Sequence, residues 1–283
     1  METCIKKYGN PEYYTIHLYQ ALKTNLLQQA ADSSNTIRIF VNCQGEKQFY
    51  IGEKMFFLEA GDVLFFGIGQ TFKEQKTYRG EGYYIVAQPS FLLRYCTNHT
   101  NLMPWVREGD NRPGCKVTLD EEEIQTLRQS IRRYDRSALT YGDDVRKTLC
   151  FIEVILRLSQ AYIKRQKDRE PNLQFSEFTV PAMRYIENHL EDSISLTVLA
   201  KHIGISRSYL CKVFKAGTGI TVNQYILERR IALAAELLVS GKNVTEVSAE
   251  VGFHDDTYFI KAFKQMLGIT PKKYAALQRC AVS

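Results

Sequence analysis

Residues 209–225, YLCKVFKAGTGITVNQY, return 49 positions later as residues 258–274, YFIKAFKQMLGITPKKY. Eight of the seventeen aligned positions are identical, and the likeness continues upstream, at an offset of 48, between residues 199–205 and 247–253. Self-similarity at a nearly constant offset indicates that one supersecondary unit is used twice. We therefore expect the C-terminal part of the chain to be built from two copies of that unit.

Each copy of the repeat predicts a short helix, a turn opened by glycine, and a second helix. In the first copy, Gly204 supplies the backbone freedom for the turn and Ser206 is a suitable N-cap for the next helix. In the second copy Gly252 makes the turn, and Asp255 or Asp256 caps the second helix. For Asp256 itself, a capping role is favoured over acceptance from a cytosine amino group. A helix, a glycine-containing turn and a second helix form the motif that reads the major groove of DNA.

Residues 221–240, TVNQYILERRIALAAELLVS, predict one long helix between the copies, closed by Gly241. Its apolar side is formed by Ile226, Ile231, Ala234, Ala235 and Leu238. Twenty residues at a rise of 1.5 Å span about 30 Å, whereas successive major grooves on one face of B-DNA lie about 34 Å apart. We therefore expect even a single chain to reach two adjacent grooves.

The second helix of each copy is called the reading helix. Helical periodicity gives each reading helix an inward and an outward face. The inward residues are Leu210, Val213 and Phe214 on the first helix and Tyr258, Phe259, Ala262 and Phe263 on the second. The expected DNA contacts are Ser206, Arg207, Ser208, Cys211, Lys212, Lys215, Asp256, Thr257, Ile260, Lys261 and Lys264. The alternative for either helix alone is a solvated lysine face, and matched basic residues on both helices argue against it. Weaker phosphate candidates are Arg229, Arg230, Lys272 and Lys273.

Short β-branched and aromatic runs alternate with glycine turns in the N-terminal half. The runs are TIRIFVN (36–42), QFYI (48–51), MFFL (55–58), VLFF (63–66) and YYIVA (83–87). Several short strands at roughly ten-residue spacing favour an antiparallel β-barrel or sandwich. Two roles stay open for the aromatic residues around them, lining a pocket or plugging the barrel; these residues are Tyr8, Tyr13, Tyr14, Tyr19 and Trp105.

Helical periodicity replaces the strand pattern after about Leu119. One stripe comprises Leu119, Ile124, Leu127, Ile131 and Tyr134, and the next comprises Val145, Leu149, Ile152, Leu156, Ser159 and Ile163. The two stripes predict a helical hairpin that is broken near residues 137–142. They either pack on the barrel or form a dimer interface, for which Leu149, Ile152 and Leu156 are the candidates.

The predicted fold class is α+β with more than one domain. Residues 164–178, KRQKDREPNLQFSEF, are highly charged, contain Pro171 and lack sustained periodicity, as expected of a linker. The predicted segments are 1–168 for sensing and dimerisation (barrel about 1–105, helices about 119–167), 169–178 for the linker, and 179–283 for an all-helical domain with two helix-turn-helix motifs joined by a long helix.

Composition narrows the class of protein. An apolar fraction of 45% and a charged fraction of 24% are ordinary for a globular chain, and no apolar run suits a membrane span or an export signal. We therefore expect a cytoplasmic protein with no membrane contact. The seven cysteines show no C-x-x-C spacing and are expected to be reduced, while a net charge of +6 permits a polyanionic partner without requiring one.

An enzyme is the first alternative, because β-barrels of this kind often hold a catalytic metal. No histidine lies between Leu18 and Asn98, and the five histidines of the chain show no ligand spacing. The sequence also lacks a nucleophile elbow, a P-loop and a dinucleotide-binding glycine string. We therefore expect no metal, no cofactor and no catalytic role.

Residues 180–279 resemble the DNA-binding domain of the AraC/XylS family of bacterial regulators. The resemblance is carried by residues 194–238, ISLTVLAKHIGISRSYLCKVFKAGTGITVNQYILERRIALAAELL, and by residues 244–274, VTEVSAEVGFHDDTYFIKAFKQMLGITPKKY. It implies that bases are read by Ser208, Cys211 and Lys212 and, near the second turn, by Asp256, Thr257, Ile260 and Lys261. The chain departs from the family at Ser248, where alanine is usual.

The N-terminal half resembles the same family through its cupin-like barrel. The matching residues are Gly45, Ile51, Gly52, Leu58 and the run 61–66, GDVLFF. The resemblance implies a sensing and dimerising module, and a transcription regulator that is more often an activator than a repressor. Its expected partners are double-stranded promoter DNA, a second copy of the chain, RNA polymerase and a small effector. Control by a protein partner instead of a small effector is the second alternative.

Overall fold

The computed structural model divides the chain into two compact units, residues 1–174 and residues 175–283. It describes residues 7–8, 14–20, 36–68, 70–74, 80–97, 99–106, 114–135, 142–165 and 177–282. Most of the predicted linker, residues 169–176, lies outside the described residues. None of the helices in the described ranges has the length and apolar character that are needed to span a bilayer.

The first unit contains two antiparallel sheets. Its strands are β1 (Lys7–Tyr8), β2 (Tyr14–Gln20), β3 (Ile37–Gln44), β4 (Lys47–Ile51), β5 (Lys54–Leu58), β6 (Asp62–Phe66), β7 (Lys73–Glu74), β8 (Glu81–Ala87) and β9 (Cys115–Thr118). Six of them pair in the order β1-β2-β8-β3-β6-β9, and three pair in the order β5-β4-β7. The five runs that the sequence predicted are β3, β4, β5, β6 and β8.

The closed barrel that the sequence predicted is not formed by the described residues, whose strands belong to two separate sheets. The reason lies in the β4–β5 hairpin. Gly52, with φ of 58°, turns the chain so tightly that Ile51 pairs with Lys54, and β4 takes its second partner from β7. The backbone hydrogen-bonding groups of β4 and β5 therefore find their partners within the three-stranded sheet.

An aromatic core fills the space between the two sheets. It includes Phe40 of β3, Phe49 of β4, Phe66 of β6 and Tyr84 of β8, all of them fully buried. The ring centroids of Phe40 and Phe49 lie 5.0 Å apart, and those of Phe49 and Phe66 lie 5.6 Å apart, both pairs edge to face. Ring contacts between residues of both sheets thus hold the small sheet against the large one.

Helices cover the other face of the six-stranded sheet. They are α1 (Pro89–Leu93), α2 (Glu121–Asp135) and α3 (Asp143–Arg165), and the last two form the predicted hairpin. Tyr14 of β2 stacks on Phe151 of α3 at 4.1 Å, and Trp105 lies 4.5 Å from Phe65 of β6. Of the two roles considered for the aromatic residues, Tyr14 and Trp105 therefore take the packing role; Tyr13 and the side chains of Tyr8 and Tyr19 lie outside the described residues.

The second unit is helical throughout its described elements, as predicted. The helices are α4 (Thr179–Glu187), α5 (Leu196–Ile203), α6 (Arg207–Thr218), α7 (Val222–Val239), α8 (Val244–Glu250), α9 (Asp256–Leu267) and α10 (Pro271–Val282). Around the C-terminal half of α7, the core is formed by Ile231, Ala235, Leu238, Val247, Phe259 and Phe263. Helix α7 is thus the element on which the surrounding helices pack.

Candidate nucleic-acid interface

The first helix pair consists of α5 and α6. Helix α5 ends at Gly204, which adopts φ of 83° in the left-handed region and lets the chain turn. Ser206 then caps α6, because its hydroxyl oxygen accepts a hydrogen bond from the backbone N–H of Tyr209 at 3.2 Å. Both the turn and the cap agree with the prediction.

The second helix pair consists of α8 and α9, separated by Gly252 with φ of 80°. The N-cap of α9 is Asp255, whose Oδ1 accepts hydrogen bonds from the N–H groups of Thr257 at 2.7 Å and Tyr258 at 3.3 Å. Of the two candidates Asp255 is the cap, and the capping role favoured for Asp256 is wrong. Asp256 is already the first helical residue, so its carboxylate is left facing solvent.

Helix α7 connects the two pairs. It begins after Thr221, whose hydroxyl accepts from the N–H of Gln224 at 3.2 Å, and it ends before Gly241. Its 18 residues correspond to about 27 Å at 1.5 Å per residue. The apolar side that the sequence predicted, Ile226, Ile231, Ala234, Ala235 and Leu238, is buried along the helix.

The residues predicted to contact DNA all lie on the solvent side of the helix pairs. On and before α6 the exposed set is Ser206, Arg207, Ser208, Cys211, Lys212 and Lys215, and on α9 it is Asp256, Thr257, Ile260, Lys261 and Lys264. On the opposite sides Leu210, Phe214, Phe259 and Phe263 are fully buried. Each helix therefore has one face that holds it in the unit and one face that is open to a partner.

Tyr258 does not lie on the inward side, as the sequence had predicted. Its side chain is 54% exposed, and its repeat counterpart Tyr209 is 46% exposed. Each ring touches one aromatic neighbour at 5.8 Å, Phe178 for Tyr209 and Phe253 for Tyr258. The two tyrosines border the outward faces at matched positions. Their identity in both copies of the repeat was the available signal.

Arg229 is committed to an internal ion pair, so its prediction as a phosphate contact was wrong. Its guanidinium donates to the carboxylate of Glu187 on α4 at 2.6 and 2.9 Å, and the hydroxyl of Tyr225 donates to the same carboxylate at 2.8 Å. Because only 8% of the Arg229 side chain is exposed, the contact fastens α4 to α7 and leaves little surface for DNA.

Arg230 is also engaged inside the unit rather than presented to solvent. Its Nε donates to the carbonyl oxygen of Leu190 at 3.0 Å and its Nη2 donates to that of Asp192 at 2.6 Å. The guanidinium lies 5.9 Å from the ring centroid of Phe253, and burial lowers the pKa of Arg230. Of the weaker phosphate candidates only Lys272 and Lys273, at the start of α10, are exposed.

The predicted dimer residues lie on an apolar stripe of α3. Val145 is 58% exposed, Leu149 is 63% exposed and Leu156 is 36% exposed, while Ile152 is half-buried between them. On the opposite side of the helix Phe151 packs against Tyr14. Packing within the unit therefore uses a different face of α3.

Comparison with known proteins shows what the helix pairs are similar to. Residues 199–276 match the family model described as a helix-turn-helix domain. An uncharacterized HTH-type transcriptional regulator in the cgkA 5′ region of Pseudoalteromonas carrageenovora is 44% identical over 93 residues, which are 33% of this chain and 55% of that protein. The chain therefore spans about half the length of this relative.

Two solved structures resemble the same part of the chain. The C-terminal domain of the two-component response regulator yesN from Fusobacterium nucleatum is 35% identical, with 33% of this chain and 93% of that chain covered and a TM-score of 0.32. A transcriptional regulator with an AraC-type DNA-binding domain from Chromobacterium violaceum is 26% identical, with 36% and 91% covered and a TM-score of 0.34. Residues 199–276 of this chain therefore carry a helix-turn-helix domain that is similar to those of HTH-type transcriptional regulators.

Proposed function

We propose that the chain is a sequence-specific transcription regulator, acting as an activator, that binds double-stranded promoter DNA with both helix pairs as helix-turn-helix units. The observation that carries the proposal is the matched exposure of the two reading helices. Lys212 and Lys215 on α6 recur as Lys261 and Lys264 on α9, and all four side chains are exposed. Basic residues at equivalent positions of the two helices suit double-stranded DNA, whose phosphates recur at a fixed spacing.

The length of α7 supports binding to two consecutive grooves. Helices α6 and α9 both contact α7, which is about 27 Å long. Successive major grooves on one face of B-DNA are about 34 Å apart. A rod of this size, with one reading helix near each end, favours insertion of α6 and α9 into neighbouring grooves.

The exposed residues divide by chemistry into two roles. Those assigned to base edges are Ser208, Cys211, Lys212, Thr257, Ile260 and Lys261, with Asp256 as an acceptor for a cytosine amino group. Those assigned to phosphates are Ser206, Arg207, Lys215 and Lys264. The short side chains of Ser208 and Cys211 suggest that α6 reads few bases and contributes more through its positive charges.

Binding to DNA is tested with alanine variants of the matched lysines. Lys212→Ala or Lys261→Ala should weaken binding to a footprinted promoter fragment by about 1 to 3 kcal/mol if the ammonium group reaches a guanine. If it touches only phosphate, affinity should fall uniformly across sequences and the salt slope should decrease by about one. Lys54→Ala, an exposed lysine of the first unit, is the matched control. Unchanged binding by both variants would contradict the assigned faces.

The apolar stripe of α3 supports a homodimer. Val145, Leu149, Ile152 and Leu156 follow one another in steps of four, three and four residues, which is the spacing of a coiled-coil seam. A second copy of the chain presents the same stripe, and a two-fold interface requires a surface that is complementary to itself. We infer that two α3 helices pair through this stripe.

The dimer is tested by placing a charge in the stripe. Leu149→Glu should shift the protein from dimer to monomer in analytical ultracentrifugation, because the introduced carboxylate would be buried without a partner at the seam. Arg146→Gln, which changes the net charge equally and whose native side chain is 54% exposed beside Asp143, is the control. A dimer that survives Leu149→Glu at low micromolar concentration would refute this interface.

The first unit is assigned to signal sensing through its cupin-like pair of sheets, with RNA polymerase as the partner in activation. This role is supported by the resemblance of residues 45–66 to a sensing module and by two sheets that pack on a shared aromatic core. The alternative is control by a protein partner, which the absence of any stabilisation by small molecules would favour. No group of three or more metal-ligating side chains occurs among the described residues, and the proposal gives the chain no catalytic role.

A further inference from the structure

Seven of the eight residue pairs that are identical in the two copies of the repeat have a role in the fold or in the proposed DNA contacts. Two of these pairs are the exposed lysines that are assigned to DNA. Five pairs lie in the core or at a helix end: Phe214 and Phe263, Gly219 and Gly268, Ile220 and Ile269, Thr221 and Thr270, and Tyr225 and Tyr274. The eighth pair, Tyr209 and Tyr258, has neither role.

Tyr209 and Tyr258 occupy the same position on the two reading helices. Each is the third residue of its helix, α6 or α9, and precedes a matched lysine, Lys212 or Lys261, by three residues. Residues three apart are neighbours on the surface of a helix. Both tyrosine side chains are about half exposed. Each tyrosine therefore stands beside a lysine at the edge of the outward face.

An aromatic neighbour supports each ring and leaves the hydroxyl unused. The ring of Tyr209 meets that of Phe178 at an angle of 73°, and the ring of Tyr258 meets that of Phe253 at 51°. Neither hydroxyl has a hydrogen-bond partner among the described residues. A ring that is already supported by packing loses little conformational freedom when the hydroxyl at its tip binds a partner.

We propose that Tyr209 and Tyr258 position the two reading helices, each by donating a hydrogen bond from its hydroxyl to a phosphate of the DNA backbone. This inference rests on the proposed function and adds one backbone contact at each groove. Side chains at the edge of the outward face meet the sugar-phosphate wall of a groove, whereas those at its centre meet base edges. Phosphate oxygens accept the hydrogen bond that a phenol hydroxyl donates.

Identity of the tyrosine in both copies favours a phosphate over a base. Residues assigned to base edges differ between the copies, as Ser208 corresponds to Thr257 and Cys211 to Ile260. Such differences are expected when two grooves present different base pairs. Phosphates are the same in every groove, and the lysines assigned to phosphates are also identical in the two copies. The tyrosine pair follows the second pattern.

The hydroxyls are tested with Tyr209→Phe and Tyr258→Phe in the full chain, because these changes keep the rings and remove only the donors. Each variant should bind the footprinted promoter fragment about tenfold more weakly, and the double variant about a hundredfold more weakly, since the two contacts lie on separate helices. Tyr50→Phe, at an exposed tyrosine of the first unit, is the matched control and should bind as the unchanged protein does. Full affinity in both variants would overturn the proposal.

A phosphate contact that is made by a neutral group has two further signatures. The loss of affinity should be the same on the promoter fragment and on fragments with single base-pair changes, because the backbone carries no sequence information. The dependence of affinity on salt should not change, since a hydroxyl releases no counterion, whereas Lys215→Ala should reduce the salt slope by about one. A loss confined to particular base pairs would mean a base contact and would refute the phosphate assignment.

The partner phosphates are located with promoter fragments in which single phosphates are replaced by uncharged methylphosphonate. One replacement should weaken the unchanged protein and have little additional effect on Tyr209→Phe, and another should do the same for Tyr258→Phe. The two positions should lie about 10 base pairs apart, because the reading helices enter successive grooves. The proposal fails if no replacement shows such coupling to either tyrosine.

Folding and the proposed function are checked on the same samples. The melting temperature of both variants, followed by circular dichroism, should equal that of the unchanged protein. A lower melting temperature would mean that the hydroxyl makes an internal contact, and would count against the proposal. If the unchanged protein binds no duplex DNA, the proposed function fails and this inference fails with it. If binding depends on the lysines but is the same with and without the hydroxyls, this inference fails alone.

Discussion

The two helix pairs of the second unit share one frame and differ in what they present. Both turn at a left-handed glycine and both reading helices carry two matched lysines. Around these lysines, α6 adds Arg207, whereas α9 is capped by Asp255 and begins with Asp256. This difference shows that two copies of a unit can share the same turn and differ in their exposed charged residues. The backbone geometry of the turn requires glycine, whereas it does not restrict the exposed side chains.

The pairs also differ in how closely their surroundings approach the turn. A Cβ atom added at Gly204 would meet nothing within 4 Å. A Cβ atom at Gly252 would lie 2.7 Å from Nη2 of Arg230 and 2.7 Å from the carbonyl oxygen of Leu190. The second turn is therefore tightly enclosed by Arg230, which links α7 to the chain after α4. The first turn has no comparably close neighbours.

The largest expected effect comes from the two glycines. Gly252→Ala should destabilise the unit by about 3 kcal/mol, because strain at a positive φ adds to a clash with a backbone oxygen. Gly204→Ala should cost about 1 kcal/mol from the same strain alone. Urea denaturation followed by circular dichroism measures both. Equal losses of unfolding free energy in the two variants would mean that Arg230 and Leu190 move aside at little cost. The two turns would then not differ as described.

A smaller effect is expected at one buried position that the pairs fill differently. Ser248 on α8 corresponds to Ala200 on α5, and both are buried. The hydroxyl of Ser248 has no hydrogen-bond partner among the described residues. Ser248→Ala should therefore stabilise the unit by about 1 kcal/mol, and Ala200→Ser should destabilise it by about as much. Loss of stability in Ser248→Ala would show that the hydroxyl makes a bond that the packing does not reveal.

The smallest effect concerns charge at the tip of α9. Asp256 is exposed and does not cap the helix, so Asp256→Asn should tighten binding to non-specific DNA about threefold at low salt by removing repulsion from phosphates. Fluorescence anisotropy measures this, with Glu53→Gln of the first unit as a control of equal charge change. Weaker binding to the promoter alone would instead identify Asp256 as an acceptor for a cytosine amino group.

Much of the second unit was predictable because local signals and packing agree there. The repeat, the glycine turns and the cap at Ser206 each fix backbone geometry within a few residues. The prediction failed where the role of a residue is decided by its contacts in the folded structure. Asp255 and Asp256 are equivalent as a sequence pattern, and only the hydrogen bonds to Thr257 and Tyr258 distinguish them.

Arginine roles and strand pairing were less predictable. A basic pair on a helix suggests phosphate contacts, but Glu187 lies 42 residues from Arg229 along the chain, and no local pattern announces their ion pair. In the first unit, the short strands were visible as β-branched and aromatic runs. Their assembly into two sheets depends on long-range hydrogen bonding, which periodicity does not encode.

The ion pair between Glu187 and Arg229 sets a limit on how the protein can be dissected. A fragment cut to begin at residue 199, where the family match starts, would discard Glu187 and Leu190 and leave two arginines of α7 without their acceptors. Such a truncation should be prone to aggregation even though every residue proposed to contact bases is retained. Cloning boundaries for crystallisation or NMR therefore belong upstream of Thr179.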